Sequence, residues 1–158
     1  MTASDELVRR ARRSLLRSST RPNKKLAVVT CMDGRIDPLR ILALGLGDIH
    51  TIRNAGGIVT EDVLRSILIS QRMLGTKEVL IIMHTECGLY GLDDAKERAA
   101  AEAETKQRIP FELGGFSDIA ARVGASVLAA QNCRYLPHRD RISGGIYDVD
   151  SAVLRRLH

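Results

Sequence analysis

Apolar runs alternate with polar, amphipathic segments along this chain. "LAVVTC" at 26–31 is short, apolar and β-branched, the pattern of a strand buried on both faces. "DIHTIRNAGG" gives a second strand at about 49–53, followed by a glycine-marked loop. "EVLIIMHTECG" gives a third, ending on His84, Cys87 and Gly88. A last strand is expected near "GGIYDV".

The segments between these strands have helical spacing. Residues 4–17 place Leu7, Ala11, Leu15 and Leu16 on one face, before "SSTRPNKK" breaks the pattern. Residues 37–46 read as a helix with Pro38 in its first turn. Thr60, Glu61 and Asp62 open a third helix, since acids favour the N-terminal dipole, and Gly75 ends it. Residues 92–107 form a charge-rich helix, "FELGGF" a loop, and about 118–133 a final helix. Strand and helix alternate, so parallel βαβ crossovers and an α/β fold are predicted. No internal repeat and no long linker divides the 158 residues, which suits one domain.

Composition narrows the class. At 44% apolar residues the chain can bury a core. No apolar run approaches the roughly 18 residues of a membrane span. The basic N-terminus lacks the apolar stretch of a secretory signal, so a cytoplasmic location is expected. The net charge of +5 is concentrated in residues 1–25, where eight Lys or Arg face two acids. A solvated basic helix face explains this. With five aromatic residues in the chain, a base-stacking surface for nucleic acid is not expected.

Chemistry gathers where the strands end. In an open parallel sheet, functional groups collect beyond the strands' carboxyl ends. Cys31 lies there on the first strand and His84 on the third, with Cys87 one short turn later. Taken singly, a cysteine at a strand end reads as packing and a histidine as a satisfied core residue. If the two strands are neighbours, two thiolates and an imidazole converge, a set that suits Zn²⁺ and leaves a fourth position open. Cys133 has no such company. Asp33 and Arg35 are two apart and can leave one side of an extended segment as a bidentate pair; on an open surface the same pair would contribute little. Next to a metal the carboxylate could accept a hydrogen bond from bound hydroxide or become a fourth ligand. Residue 37 is Asp, so Cys31 does not begin a C-x5-R phosphatase loop. "GLGDIH" precedes a strand and is no dinucleotide loop.

C-x-D-x-R at 31–35, "RNAGG" at 53–57 and H-x-x-C at 84–87 together resemble the β-class carbonic anhydrases, in particular their compact bacterial members. The likeness covers about residues 24–91 and, more loosely, "GGIYDV". It implies one domain over 1–158, with 1–22 as a basic helical arm. It also implies a mainly parallel sheet of about four strands plus a C-terminal edge strand, with helices on both faces. It implies Zn²⁺ on Cys31, His84 and Cys87, and Asp33 with Arg35 as a catalytic dyad. The expected reaction is reversible hydration of CO₂ to bicarbonate, with zinc-bound hydroxide as nucleophile. Backbone N–H groups at Ala55, Gly56 and Gly57 are expected to receive a substrate oxygen. In some family members the aspartate at the position of Asp33 closes the zinc site at low pH. A homodimer, or a tetramer formed by two dimers, is implied, with the cleft at the subunit interface. The same fold also hosts carbonyl sulfide and carbon disulfide hydrolases on the same ligands, and a non-catalytic zinc regulator is a further alternative. The part that would choose between substrates, 92–116, follows no pattern the resemblance explains.

Overall fold

A computed structural model describes residues 3–10 and 19–157. Helix α1 (Ala3–Arg10) comes first, then strand β1 (Leu26–Cys31), helix α2 (Pro38–Ile41) and strand β2 (Ile49–Asn54). Helix α3 (Glu61–Arg72), strand β3 (Glu78–His84), helix α4 (Asp94–Thr105) and helix α5 (Ile119–Asn132) follow, and strands β4 (Ile142–Asp148) and β5 (Val153–Leu157) close the chain. The sheet order is β2-β1-β3-β4-β5. The first four strands are parallel, and β5 runs antiparallel to β4. This is the expected α/β architecture, and its consequence for function lies in the middle of the sheet. There β1 sits between β2 and β3, with Thr30 level with both Arg53 and Ile82, so the tips of all three strands open on one place.

The core lies mainly on one face. Val29, Val79, Ile81 and Ile142 of the sheet meet Val63 and Ile67 of α3 and Ala130 of α5. Fully burying one such aliphatic side chain contributes about 1.5–3 kcal/mol. Both helices are fixed at their starts: Thr60 Oγ1 accepts from the Val63 amide and Asp118 Oδ1 from the Ala121 amide. The other face is more thinly covered. Val28, Ile49 and Ile82 pack there against Leu39, Leu42 and Leu44 and against Tyr147 and Leu154.

Three sequence expectations shift. The helix expected over 37–46 stops at Ile41, because Ala43 adopts φ +52° and the Leu44 amide turns back to the Leu39 carbonyl at 2.8 Å. That turn lays all three leucines on the sheet, which a continued helix would not do. The terminal strand expected at "GGIYDV" is β4, and a further strand, β5, follows it through a turn in which Asp148 Oδ1 accepts from the Asp150 and Ser151 amides. Of the amphipathic helix expected over 4–17, Ala3–Arg10 is helical, and the remainder lies outside the described residues. Among the described residues no helix is long and apolar enough to cross a membrane.

Candidate metal centre

Cys31 ends β1 and His84 ends β3, on adjacent parallel strands, and Cys87 follows one turn after His84. One ligand atom from each comes within 4.8 Å of the other two. All three are buried, with exposures of 5%, 1% and 6%. The convergence that the sequence made conditional on strand order is thus present.

The histidine is the most informative of the three. Its Nδ1 lies 2.8 Å from the Thr85 carbonyl oxygen, which can only accept. In the neutral ring Nδ1 therefore carries the proton and Nε2 presents a lone pair. Nε2 is buried and has no hydrogen-bond partner. A buried polar atom left so costs stability unless something binds it, and here it faces two sulfurs. Burial pushes the Cys87 thiol above its ordinary pKa, and neighbouring Cys31 pushes it the same way. Two thiolates share this volume only with a cation to offset them. The donor set therefore fits a soft divalent ion.

Asp33 stands beside this cluster, its Oδ2 3.9 Å from His84 Nε2. Arg35 grips it with both prongs: Nε donates to Oδ1 at 3.1 Å and an Nη to Oδ2 at 2.9 Å, while the Arg35 amide adds a bond to Oδ1 at 2.8 Å. The Arg35 side chain, and then its amide, hold the Asp33 carboxyl down to about 2. Glu86 holds Arg35 from the opposite side, by its carboxylate at 3.0 Å and its backbone carbonyl at 2.9 Å.

The turn Ala55–Gly57 forms the opposite wall. Ala55 and Gly56 line a cavity of about 470 Å³ together with Cys31–Gly34 and Cys87–Leu89. Gly57 packs behind them. Its φ is +65°, and a Cβ there would lie 2.8 Å from the Cys31 nitrogen and 2.9 Å from the Thr30 carbonyl carbon. Only glycine allows the turn to rest on the strand so closely.

Three supporting residues carried no role in the sequence reading. Arg53 reaches across from β2 and donates to the Cys31 carbonyl at 3.0 Å and the Asp33 carbonyl at 2.8 Å, fixing the loop between them. Asn54 closes the glycine turn, its side chain both donating to the Ile58 carbonyl and accepting from the Ile58 amide. Glu86 is the third. The signal for the first two was the "RN" directly before "AGG". His50 sits on β2 between Ser70 and the Thr20 carbonyl, and Cys133 packs against the main core.

The carbonic anhydrase family model matches residues 26–112, which take in the three candidate ligands, Asp33, Arg35, Glu86 and the glycine turn. The chain belongs to the β-carbonic anhydrase family. It is 35% identical to β-carbonic anhydrase 1 of Mycobacterium tuberculosis over 136 residues, covering 86% of this chain and 83% of the relative. It is 43% identical to a carbon disulfide hydrolase of Saccharolobus solfataricus, covering 98% of this chain and 88% of that one. The crystal structure of a carbonic anhydrase from Streptococcus mutans superposes with a TM-score of 0.88 at 32% identity, covering 100% of this chain and 99% of that one. β-Carbonic anhydrases are enzymes of the lyase class.

Proposed function

We propose that this chain hydrates CO₂ to bicarbonate reversibly, using Zn²⁺ held by Cys31, His84 and Cys87, with Asp33 and Arg35 as the catalytic pair. The observation that carries the proposal is the buried, unpartnered His84 Nε2 facing two sulfurs, with a clamped carboxylate 3.9 Å away. Zinc bound there supplies Lewis acidity that makes a water molecule nucleophilic near neutral pH. The family's zinc chemistry supports that choice of ion, as does the preference of soft thiolates for zinc.

The chain's own groups do the rest. Asp33, held down to about 2, is a carboxylate at neutral pH and can only accept hydrogen bonds. It accepts from the attacking water and so aims the oxygen's free electron pair at the carbon. Arg35 holds Asp33 in that orientation; released from this grip, Asp33 would be free to serve as a fourth ligand and close the site. Amides of the Ala55–Gly56 wall receive a substrate oxygen as charge develops on it. In the net reaction CO₂ and water give bicarbonate and a proton.

A second reading, hydrolysis of carbon disulfide or carbonyl sulfide on the same groups, is favoured by the S. solfataricus relative. Turnover of CO₂, COS and CS₂ on one zinc-loaded preparation separates the two. CO₂ hydration far above the other two is the expected result; CS₂ turnover without CO₂ hydration would replace the proposal by its rival. The proposal extends to a homodimer, or a tetramer formed by two dimers, in the cytoplasm. Met32, which lines the cavity, and Tyr90 nearby are both exposed, as an interface at the cleft requires. The three cysteines are unpaired, in keeping with a reducing compartment.

A further inference from the structure

The segment 92–116 had no role in the sequence, and in the structure it returns to the cavity wall. Leu89 lines the cavity two residues after Cys87. The Phe116 amide donates to the Leu89 carbonyl at 3.1 Å, and the Gly91 amide donates to the Phe116 carbonyl at 2.7 Å. The rings of Tyr90 and Phe116 meet edge to face at 5.9 Å. Residues 113–116 are thus strapped along the back of Leu89.

Two glycines locate its side chain, tight against the wall turn and at ordinary van der Waals reach from the strap. A Cβ on Gly56, in the wall turn, would stand 2.8 Å from Leu89 Cδ1. A Cβ on Gly114, in the strap, would stand 2.8 Å from Ile58 Cδ1 and 3.9 Å from Leu89 Cδ1. The strap itself is tied down at one point. Asp94, in the first turn of α4, accepts from the Leu113 and Gly114 amides on Oδ2, at 2.9 and 3.0 Å, and from the Gly115 amide on Oδ1 at 2.7 Å. Three charge-assisted bonds to one carboxylate fix position more firmly than neutral ones would.

We propose that Asp94 is a positioning residue for the cavity: it pins the 113–116 strap against Leu89, and Leu89 in turn sets how large a linear substrate can lie beside Cys87. This rests on the proposed function, which makes that cavity the reaction chamber. Sulfur is larger than oxygen, so a Leu89 held forward disfavours CS₂ relative to CO₂. A side chain free to retreat gives up that discrimination.

Two variants test it, each with the zinc content measured. Leu89→Ala should raise the ratio of CS₂ to CO₂ turnover about tenfold, the effect of a small volume change in an apolar pocket. Asp94→Ala should move the ratio the same way, and Asp94→Asn less, because the carboxamide keeps one acceptor oxygen. Zinc content should stay at the wild-type level in all three. A purely structural weakening would lower turnover of both substrates in parallel and leave the ratio unmoved. Hydrogen exchange provides the readout independent of activity. The amides of Leu113, Gly114 and Gly115 should exchange faster in Asp94→Ala and at the wild-type rate in Leu89→Ala. Unchanged exchange in Asp94→Ala would overturn the clamp, and an unchanged ratio in Leu89→Ala would overturn the selectivity. Wild-type protein that turns over neither substrate would overturn the proposed function and the selectivity with it, whereas exchange at 113–115 would still decide the clamp.

Discussion

Asp33 and Asp94 are both held below their ordinary pKa by hydrogen bonds, but their partners differ in kind. Asp33 is gripped chiefly by a side chain two residues away, with that residue's own amide in support, and the guanidinium is gripped in turn by Glu86. Asp94 is gripped by backbone amides 19 to 21 residues further along the chain. The first arrangement orients one charged group for chemistry. The second joins two distant stretches of chain and so shapes a wall. A guanidinium can be exchanged for another cation, leaving the charge and losing the geometry. Backbone amides stay in place under any substitution but proline, so the second grip is loosened most directly at the carboxylate.

The largest expected effect separates both grips from the metal. Cys31→Ser, His84→Ala or Cys87→Ser should lose zinc and bring CO₂ hydration to the uncatalysed background, while amide exchange at 113–115 stays at the wild-type rate. One zinc per chain, by elemental analysis, in all three variants would refute the ligand set. Next in size, Arg35→Lys keeps the charge and loses the two-pronged geometry. It should retain zinc and lower kcat/KM for CO₂ by about 10–100-fold, the usual range for groups that orient a metal site. Stopped-flow rates equal to wild type would make the grip on Asp33 dispensable. The CS₂ to CO₂ ratio should not move in this variant, which keeps the roles of the two aspartates apart.

The smallest effect is on stability. The folded Asp94 carboxyl titrates below its ordinary 3.8, with the Gly115 and Gly114 amides the main causes. On acidification through that value the unfolded chain takes up a proton before the folded chain does, which favours unfolding. Asp94 therefore stabilises the fold above about pH 4, and its contribution fades as the pH falls further. The difference in melting temperature between wild type and Asp94→Ala should be full at pH 6 and narrow below pH 3.8. Calorimetry that finds the same gap at pH 6 and pH 3 would mean the carboxylate's charge plays no part.

The same contrast explains what the sequence revealed. Alternation and apolar runs predicted the strands but left their order open, and it is the observed order, with β1 beside β3, that brings Cys31 to His84. Asp33 and Arg35 were legible because their interaction is local. Glu86 was not, since its bond to Arg35 spans 51 positions and depends on the turn after β3. The Asp94 clamp was less legible still. Its acceptor looks like one more acid at the start of a charged helix, and its donors are amides that every residue carries. The C-terminal edge strand β5 was implied by the family likeness and not by its own residue pattern. "VLRRL" has two arginines and no apolar run, and it is a strand because it closes the sheet edge beside β4.

Gly57 rests directly on β1. With no side chain between them, the spacing from the turn to the backbone of Cys31 is fixed by hard contact of main-chain atoms. Rotamer fluctuations elsewhere in the protein have nothing there to act through. The wall turn and the main chain that carries Cys31 are therefore held at a spacing that no side-chain rotation between them can alter.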